Sequence, residues 1–256
     1  MKLIDLSIVI GDGVKDPLPQ TITYENHEAG AVRMAEMAGV EVSDFEERKA
    51  LAGEIITLTT HAGTHVDAPW HYWPTSNGSP AKTIDELPLE WFFNPAVVLN
   101  MTDKENGYRI TIEDLQQALK KINYTISPFD IVIINTGTYK KMYSDDYAQS
   151  GPGVSAEATH WLIDQGVKVM GIDTWGWDIP MKYQAVDYKN NPRPGVLFAA
   201  HMVGREKEYC QIEKLSNLDA LPPHGFKLCV FPVKVKGGSA GWTRAVAFVE
   251  EKPLVI

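Results

Sequence analysis

The sequence predicts an α/β fold that forms a single domain over residues 1–256. Short apolar segments rich in valine and isoleucine recur along the chain and are bounded by Gly, Pro or Asp, which is typical of β-strands. Segments with the apolar spacing of helices lie between them. Strands that mingle with helices along a chain of this length favour one mixed domain.

The predicted strands are six apolar segments, found at residues 96–101, 130–137, 167–173, 195–201, 227–235 and 243–249. Between the first two strands, a helix is predicted over residues 111–122. It opens with Thr111 and carries Asp114 three positions later, which is close to a capping box. A second helix is predicted over residues 155–166, because Ser155 is a good N-cap residue.

The N-terminal part of the chain carries a segment of mixed character. Residues 28–52 have a helical composition, and the sequence predicts two helical pieces that break near Gly39. The N-terminus itself has too short and too polar an apolar run for a signal peptide, and no segment approaches the ~20 apolar residues of a membrane span. A cytoplasmic protein is therefore expected.

Charge and cysteine content limit the classes of partner. The net charge of −9 argues against nucleic acid or an anionic membrane as the main partner. A small anionic substrate remains compatible with this charge, because a metal reverses the local field. The two cysteines, Cys210 and Cys229, form no C-x-x-C pair and cannot make a disulfide framework, so reduced thiols are expected.

The stretch HAGTHVDAPWH, residues 61–71, concentrates three of the seven histidines of the chain. From residue 56 to 68, apolar residues occupy even positions, whereas Thr, His and Asp occupy odd positions, so a strand with one polar face is predicted. His61, His65 and Asp67 then share that face. A helical H-E-x-x-H zinc motif is disfavoured, because the Glu is missing and Gly63 interrupts it.

Two imidazoles and a carboxylate on one face form half of a divalent metal site. Neutral imidazole suits Zn²⁺, Mn²⁺ and Fe²⁺, and a carboxylate can bridge two ions. The alternative is a polar strand face turned to water, which would place His61, His65 and Asp67 on one face only by chance. A structural zinc site is disfavoured, since such sites are rich in cysteine and no cysteine is nearby.

At this stretch the chain resembles the cyclase family of metal-dependent hydrolases, which includes bacterial kynurenine formamidase and isatin hydrolase. The family motif H-x-G-T-H-x-D-x-P-x-H is matched at every fixed position by residues 61–71. The similarity extends to DLS at 5–7, to GID at 171–173, and to the segment IEKLSNLDALPP that begins at residue 212. The resemblance therefore spans most of the chain.

The resemblance implies a role for each matching residue. His61, His65 and Asp67 are expected to be metal ligands, with Asp67 bridging where two ions bind, and His71 is expected to be the catalytic acid/base. His201 and Glu213, which are twelve positions apart, match the pair that completes the second metal site. The implied cofactor is a divalent metal, Zn²⁺ or Mn²⁺, as one or two ions.

The resemblance also implies an architecture and a quaternary structure. The expected fold is a β-barrel-like core of mixed strands with peripheral helices, of the swivelling β/β/α type. The expected assembly is a homodimer or a homotetramer. Kynurenine formamidases resemble one another in an N-terminal Trp-Pro-Gly-Asp element that this chain lacks, so the resemblance does not carry over their specificity.

Four aromatic residues are candidates for substrate binding. Trp175 and Trp177 follow a predicted strand end, and Tyr72 and Trp73 adjoin His71. Aromatic side chains of this kind either pack in the core or form the wall of a substrate pocket, and the sequence leaves both possibilities open.

The segment GGSAG at 237–241 matches the G-x-S-x-G elbow of serine hydrolases. That fold requires a histidine after the serine in the chain and a helix after the turn. No histidine follows Ser239, and the next residues are predicted as a strand, so a turn between two strands is predicted instead.

The predicted function is metal-dependent hydrolysis of an amide, such as an aryl formamide or a cyclic amide, or of a related ester or lactone. A metal-activated water attacks the carbonyl, and His71 acts as general acid/base. One alternative is a metal-dependent cyclase or lyase that acts on a polyketide-like substrate. The other is a metal-binding or regulatory protein without turnover, against which the additional base His71 argues.

Overall fold

The structure is a computed structural model that describes residues 1–11, 13–18 and 20–250. Its contacts divide the chain into two compact units, a larger one formed by residues 1–17 and 60–256 and a smaller one formed by residues 18–59. Strands and helices mingle through the larger unit, so the predicted α/β class is confirmed. That all 256 residues form one domain stays a prediction.

The helices and strands of the described residues have the following bounds. The α-helices are α1 (His27–Ala38), α2 (Pro69–Tyr72), α3 (Ile112–Lys121), α4 (Ala156–Asp164) and α5 (Met181–Asn190). The strands are β1 (Lys2–Asp5), β2 (Gln20–Glu25), β3 (Gly53–Leu58), β4 (His65–Asp67), β5 (Thr75–Ser76), β6 (Ser79–Pro80), β7 (Phe93–Asn100), β8 (Arg109–Ile110), β9 (Ile131–Asn135), β10 (Gly153–Val154), β11 (Val169–Ile172), β12 (Cys210–Glu213), β13 (Phe226–Cys229), β14 (Ala240–Trp242) and β15 (Val246–Val249).

A nine-stranded mixed sheet forms the centre of the larger unit. Its strand order is β1-β15-β13-β7-β9-β11-β12-β4-β14, in which β7, β9, β11 and β12 are parallel and the outer pairs are antiparallel. The sheet curls into a half-barrel, which confirms the barrel-like core implied by the family resemblance.

Both faces of the central strands are buried, and this explains their continuous apolar sequences. Side chains of a strand point alternately to its two faces. In β9, Ile131 and Ile133 accordingly belong to one hydrophobic cluster and Val132 and Ile134 to the other. Helices α3 and α4 cover the second cluster, since the buried faces of both helices lie within it.

Most of the predicted elements are present. Strands β7, β9, β11, β13 and β15 lie at five of the six predicted positions, and α3 and α4 at both helix positions. The capping box at α3 is formed, because the Asp114 amide donates to Thr111 Oγ1 while the Thr111 amide donates to Asp114 Oδ2. Helix α1 ends at Gly39, whose φ of 66° is left-handed, as the break predicted there requires.

Two predicted strands are corrected by the structure. Residues 195–201 form no strand; they are turns that lead into a 3₁₀ helix, His201–Arg205, because Pro194 and Gly195 bring a turn into the apolar segment. The predicted strand over residues 56–67 is two strands, since β3 ends at Leu58 and β4 begins at His65. Gly63 lies in the turn between them with a left-handed φ of 64°.

The smaller unit contains α1 and an antiparallel ribbon of β2 and β3, in which Thr21 lies opposite Thr57. Two consecutive residues of β3, Ile55 and Ile56, are 63% and 52% exposed. Because consecutive side chains of a strand point to opposite faces, both faces of the ribbon present apolar surface to solvent. No helix among the described residues has the length and the apolar character that a membrane span needs.

Candidate metal centre

Four elements bring the six predicted ligand and acid/base residues into one site. The loop and strand at 61–67 supply His61, His65 and Asp67, and α2 supplies His71. The 3₁₀ helix begins at His201, and β12 ends at Glu213. The six predicted residues are therefore neighbours in the fold.

The pairing of β4 with β12 fixes the buried part of the site. In this antiparallel ladder His65 lies opposite Glu213, and Asp67 lies opposite Gln211. His65 and Asp67 have no exposed surface. Nε2 of His65 lies 3.2 Å from Asp67 Oδ1 and 3.6 Å from Glu213 Oε2. Two carboxylates and an imidazole thus converge within the protein interior.

The partly exposed side of the site is formed by His61 and His71. Nδ1 of His61 lies 2.9 Å from Asp67 Oδ1, and Nε2 of His71 lies 4.0 Å from Asp67 Oδ2. The two imidazole rings are 4.2 Å apart between their centres. The His71 side chain is 34% exposed, so one edge of the site is open to solvent.

Three buried polar atoms of the site have no hydrogen-bond partner in the part of the chain that the structure describes. They are His65 Nε2 and both carboxylate oxygens of Asp67. Imidazole nitrogens approach both oxygens, but none does so with hydrogen-bond geometry. Buried polar groups are rarely left without a partner, and a divalent cation satisfies these three atoms at once. The donor set therefore fits a metal.

Two groups of side chains are close enough to hold a cation each. In one group, single ligand atoms of His61, Asp67 and His71 lie within 4.8 Å of one another, and in the other those of His65, Asp67 and Glu213 do. Asp67 belongs to both, as a bridging carboxylate does. The first group includes His71, so the geometry also permits a ligand role for the residue that the sequence predicts as acid/base.

His201 is held by an acidic residue that the sequence did not indicate. Asp178 accepts hydrogen bonds from the His201 amide and, at 2.6 Å, from Nδ1 of its ring. The other nitrogen, Nε2, then faces Glu213 Oε1 at 3.4 Å. A carboxylate on one ring nitrogen, which orients the other, is the usual support of a metal-binding histidine.

The electrostatics of the buried residues agree with a site for positive charge. Burial acts to raise the pKa of Asp67, but its interactions with the imidazoles of His71, His65 and His61 outweigh burial and hold the pKa well below its usual range. Burial likewise opposes the charged form of His201, yet Asp178 and Glu213 raise the pKa of that imidazole to about 10.

The two partly exposed histidines differ in protonation. Burial lowers the pKa of His71, because the nearby Asp67 only partly offsets the loss of hydration. For His61 burial also acts to lower the pKa, but the adjacent Asp67 carboxylate outweighs it and the pKa is raised. His71 is thus the histidine that is held in its neutral, proton-accepting form at neutral pH.

The four predicted substrate-binding aromatics lie in different environments. Trp177 is fully buried in the core and donates its indole N–H to Thr159, as the packing alternative expects. Tyr72 is buried as well, stacked on Tyr209. Trp73 is exposed beneath the Arg205 guanidinium. Trp175 is partly buried, and its ring lies beside Lys214, the residue that follows Glu213.

A buried ion pair next to the site was not predicted from the sequence. Lys214 Nζ lies 2.6 Å from Asp16 Oδ2 and also donates to the His61 carbonyl. Asp16 Oδ1 accepts the indole N–H of Trp175, and the Lys214 ammonium lies 5.3 Å from that ring. These contacts fix Trp175 and the backbone of His61 relative to β12.

Comparisons with known proteins give one family. The model of the Cyclase family, described as "Putative cyclase", matches residues 4–179. The kynurenine formamidase of Paracidovorax citrulli is 27% identical over 191 residues, covering 75% of this chain and 77% of that protein. The isatin hydrolase of Roseibium aggregatum is 25% identical over 206 residues, with coverage of 76% and 73%.

Solved structures show the same similarity. The structure of isatin hydrolase A from Labrenzia aggregata bound to benzyl benzoate is 25% identical, with a TM-score of 0.74 over 98% of this chain and 94% of that one. An isatin hydrolase bound to the product analogue thioisatinate, at 20% identity, has a TM-score of 0.76 over 98% and 93%, which shows a shared fold.

Proposed function

Because the chain belongs to the Cyclase family, we propose that it is a metal-dependent hydrolase that cleaves the carbon–nitrogen bond of a non-peptide amide. The observation that carries this proposal is the set of three buried atoms without hydrogen-bond partners on His65 and Asp67. The relatives named for kynurenine formamide and isatin hydrolysis support the hydrolytic reaction rather than the alternative cyclase or lyase reaction.

The metal is proposed to be Zn²⁺ or Mn²⁺, as one or two ions. Its holders are His61, His65, Asp67, His201 and Glu213. Three of these five residues, His65, Asp67 and Glu213, lie on the paired strands β4 and β12. Asp67 belongs to both groups of candidate ligands, which supports a site for two ions that share one carboxylate. A bound divalent metal supplies Lewis acidity there, since it polarises a carbonyl and lowers the pKa of water toward ~7.

The chain's own residues manage the protons of the reaction. His71 is neutral because burial lowers its pKa, and its ring lies at the open edge of the site. Hydrolysis adds the hydroxyl of water to the carbonyl carbon and a proton to the leaving nitrogen. His71 takes that proton at Nε2 from water and returns it to the nitrogen as the bond breaks.

The substrate is proposed to be a small molecule with an amide, such as an aryl formamide or a cyclic amide, or a related ester or lactone. Trp175 remains the aromatic candidate for its binding, because it is partly exposed and lies beside Lys214, which also contacts the His61 carbonyl. In keeping with the net charge of −9, we propose that neither nucleic acid nor a membrane is a partner. The proposed location is the cytoplasm.

Metal removal and restoration tests the proposed function. Protein treated with a chelator should lose hydrolysis of a panel of aryl formamides, lactams and lactones, and added Zn²⁺ or Mn²⁺ should restore it. Elemental analysis of the same samples gives the number of ions per chain. Full activity in protein verified to be free of metal would contradict the proposal.

A homodimer or homotetramer is proposed on the exposed apolar residues of the smaller unit. Ile55 and Ile56 project to opposite faces of the β2–β3 ribbon. A second copy of the chain that buries both residues therefore has to contact both faces of the ribbon. Light scattering coupled to size exclusion should give a multiple of the chain mass. Ile56→Glu should lower it, whereas Glu113→Gln, on helix α3 of the larger unit, should keep it. A wild-type monomer would exclude the assembly.

A further inference from the structure

Ser239 contacts the edge of His61 that faces away from the other candidate ligands. Its Oγ lies 3.0 Å from His61 Nε2, while His61 Nδ1 lies 2.9 Å from Asp67 Oδ1. One ring therefore bridges a hydroxyl on one side and the buried carboxylate on the other. In sequence, Ser239 and His61 are 178 positions apart.

The turn that carries Ser239 is fixed by hydrogen bonds on both sides. The Ser239 carbonyl accepts a hydrogen bond at 2.9 Å from the amide of Ala68, the residue that follows strand β4. The Gly238 carbonyl accepts one from the Ile84 amide, also at 2.9 Å. The amide of Gly237 donates to Asp85 Oδ1 at 2.9 Å. Gly237 has a left-handed φ of 66°, which suits the glycine found there.

We propose that Ser239 is a positioning residue that sets which nitrogen of His61 binds metal. This inference rests on the proposed metal-dependent function. A hydroxyl that accepts the Nε2 proton leaves the lone pair of Nδ1 directed at Asp67, and such support typically changes metal affinity about 10–100-fold. Lys214 Nζ holds the His61 carbonyl at 2.8 Å, so both the backbone and the far edge of the ring are fixed.

The same three residues also have the order of a Ser-His-Asp catalytic triad, and the structure favours the positioning role. A triad needs the Nδ1 proton to be donated to the aspartate. Asp67 Oδ1, however, accepts no hydrogen bond of acceptable geometry from the described residues. Asp67 also faces His65 and His71, whereas a triad aspartate serves one imidazole. The turn at Ser239 continues into strand β14, not into a helix.

The test compares Zn²⁺ affinity among matched variants of the full chain. Ser239→Ala should bind Zn²⁺ about 10–100-fold more weakly than wild type in competition with a chromogenic chelator, and Ser239→Thr, which keeps the hydroxyl, should restore most of the affinity. Thr243→Val is the control. It removes a hydroxyl that donates to the Phe231 carbonyl in the same region, and it should leave Zn²⁺ affinity unchanged.

Nitrogen NMR of Zn²⁺-loaded wild-type protein gives a second readout that needs no variant. His61 should show a metal-bound Nδ1 and a protonated Nε2. Metal on Nε2, or equal Zn²⁺ affinity of Ser239→Ala and wild type, overturns the inference and leaves the proposed function standing. Covalent labelling of Ser239 by a fluorophosphonate would identify a nucleophile instead. If wild-type protein binds neither Zn²⁺ nor Mn²⁺, the proposed function itself fails.

Discussion

At the residue scale, His71 differs from the other histidines of the site in its charge state and its exposure. Burial lowers its pKa, so it is neutral at neutral pH, and a third of its side chain is open to solvent. His71→Ala should therefore keep the metal and lose general acid–base catalysis, with kcat lower by about 10²–10⁴-fold. Metal content and kcat are measured on one preparation.

Loss of metal from His71→Ala would contradict the acid/base role. His71, His61 and Asp67 are close enough to hold one ion, so loss of metal from His71→Ala would make His71 a ligand. His160→Ala serves as the control, because this histidine lies near Glu206 outside the site and should keep both metal and kcat.

Another residue-scale prediction concerns the buried pair of Lys214 and Asp16. Both side chains are almost completely buried, at 1% and 0% exposure. Removing one charge leaves the other without its partner, which typically costs 3–5 kcal/mol, so Lys214→Met should lower the free energy of unfolding by roughly that amount. Urea denaturation measures it. The double variant with Asp16→Asn should recover part of the loss; an additive loss would show that the pair does not interact.

The candidate metal ligands were predictable from the sequence, and the residues that support them were not. His61, His65 and Asp67 lie within seven positions, and their motif is dense enough to be recognised. Ser239 and Asp178 reach their histidines only through the fold, 178 and 23 positions away. Single serine or aspartate residues in loops carry no local signal of such a role, because they are common at turns.

At the element scale, the start of helix α3 provides a pH-dependent prediction. Burial acts to raise the pKa of Asp114, but hydrogen bonds from Lys104 and Thr111 lower it from 3.8 to about 2. A lowered carboxylate pKa stabilises the fold above pH 3.8, and this contribution disappears as the pH falls toward 2. Asp114→Asn should therefore lower the free energy of unfolding at neutral pH by roughly 1–2 kcal/mol.

The difference between wild type and Asp114→Asn should shrink as the pH approaches 2. Denaturant unfolding at several pH values measures it. Glu113→Gln removes the same charge from the same helical turn but from an exposed side chain, and it should have a much smaller effect. If the loss of unfolding free energy in Asp114→Asn does not depend on pH, the hydrogen-bond geometry of the cap and not the charge of Asp114 stabilises the start of α3.

Element prediction succeeded where burial on both faces demanded it and failed where a turn interrupted the pattern. β7 and β9 lie between two hydrophobic clusters, so their continuous apolar segments have no other stable location. The apolar segment at 195–201 has a similar composition but follows Pro194. The even-odd pattern across 56–67 includes Gly63, whose left-handed backbone interrupts the strand. The candidate ligands still lie close together, because they are only a few residues apart in the motif.

At the scale of the whole molecule, the strand order could not be read from the sequence. β4 pairs with β12 and β14, which lie far along the chain, and local periodicity carries no information about such partners. The candidate metal ligands therefore come from three separate segments, β4, β12 and the 3₁₀ helix at His201. Under the proposed function, an ion bound by them would couple metal binding to folding of the larger unit.

This coupling predicts that metal raises the stability of the chain as a whole. An ion that binds only the folded protein adds about 2.7 kcal/mol at a free concentration of 100 times its Kd, which corresponds to a rise in Tm of roughly 5–10 °C for a protein of this size. Scanning calorimetry of metal-free and Zn²⁺-loaded protein measures the rise. His65→Ala should abolish it, because this buried ligand faces both Asp67 and Glu213. Glu113→Gln should retain it; an unchanged Tm in wild-type protein that demonstrably holds Zn²⁺ would mean that the ion does not tie these segments together.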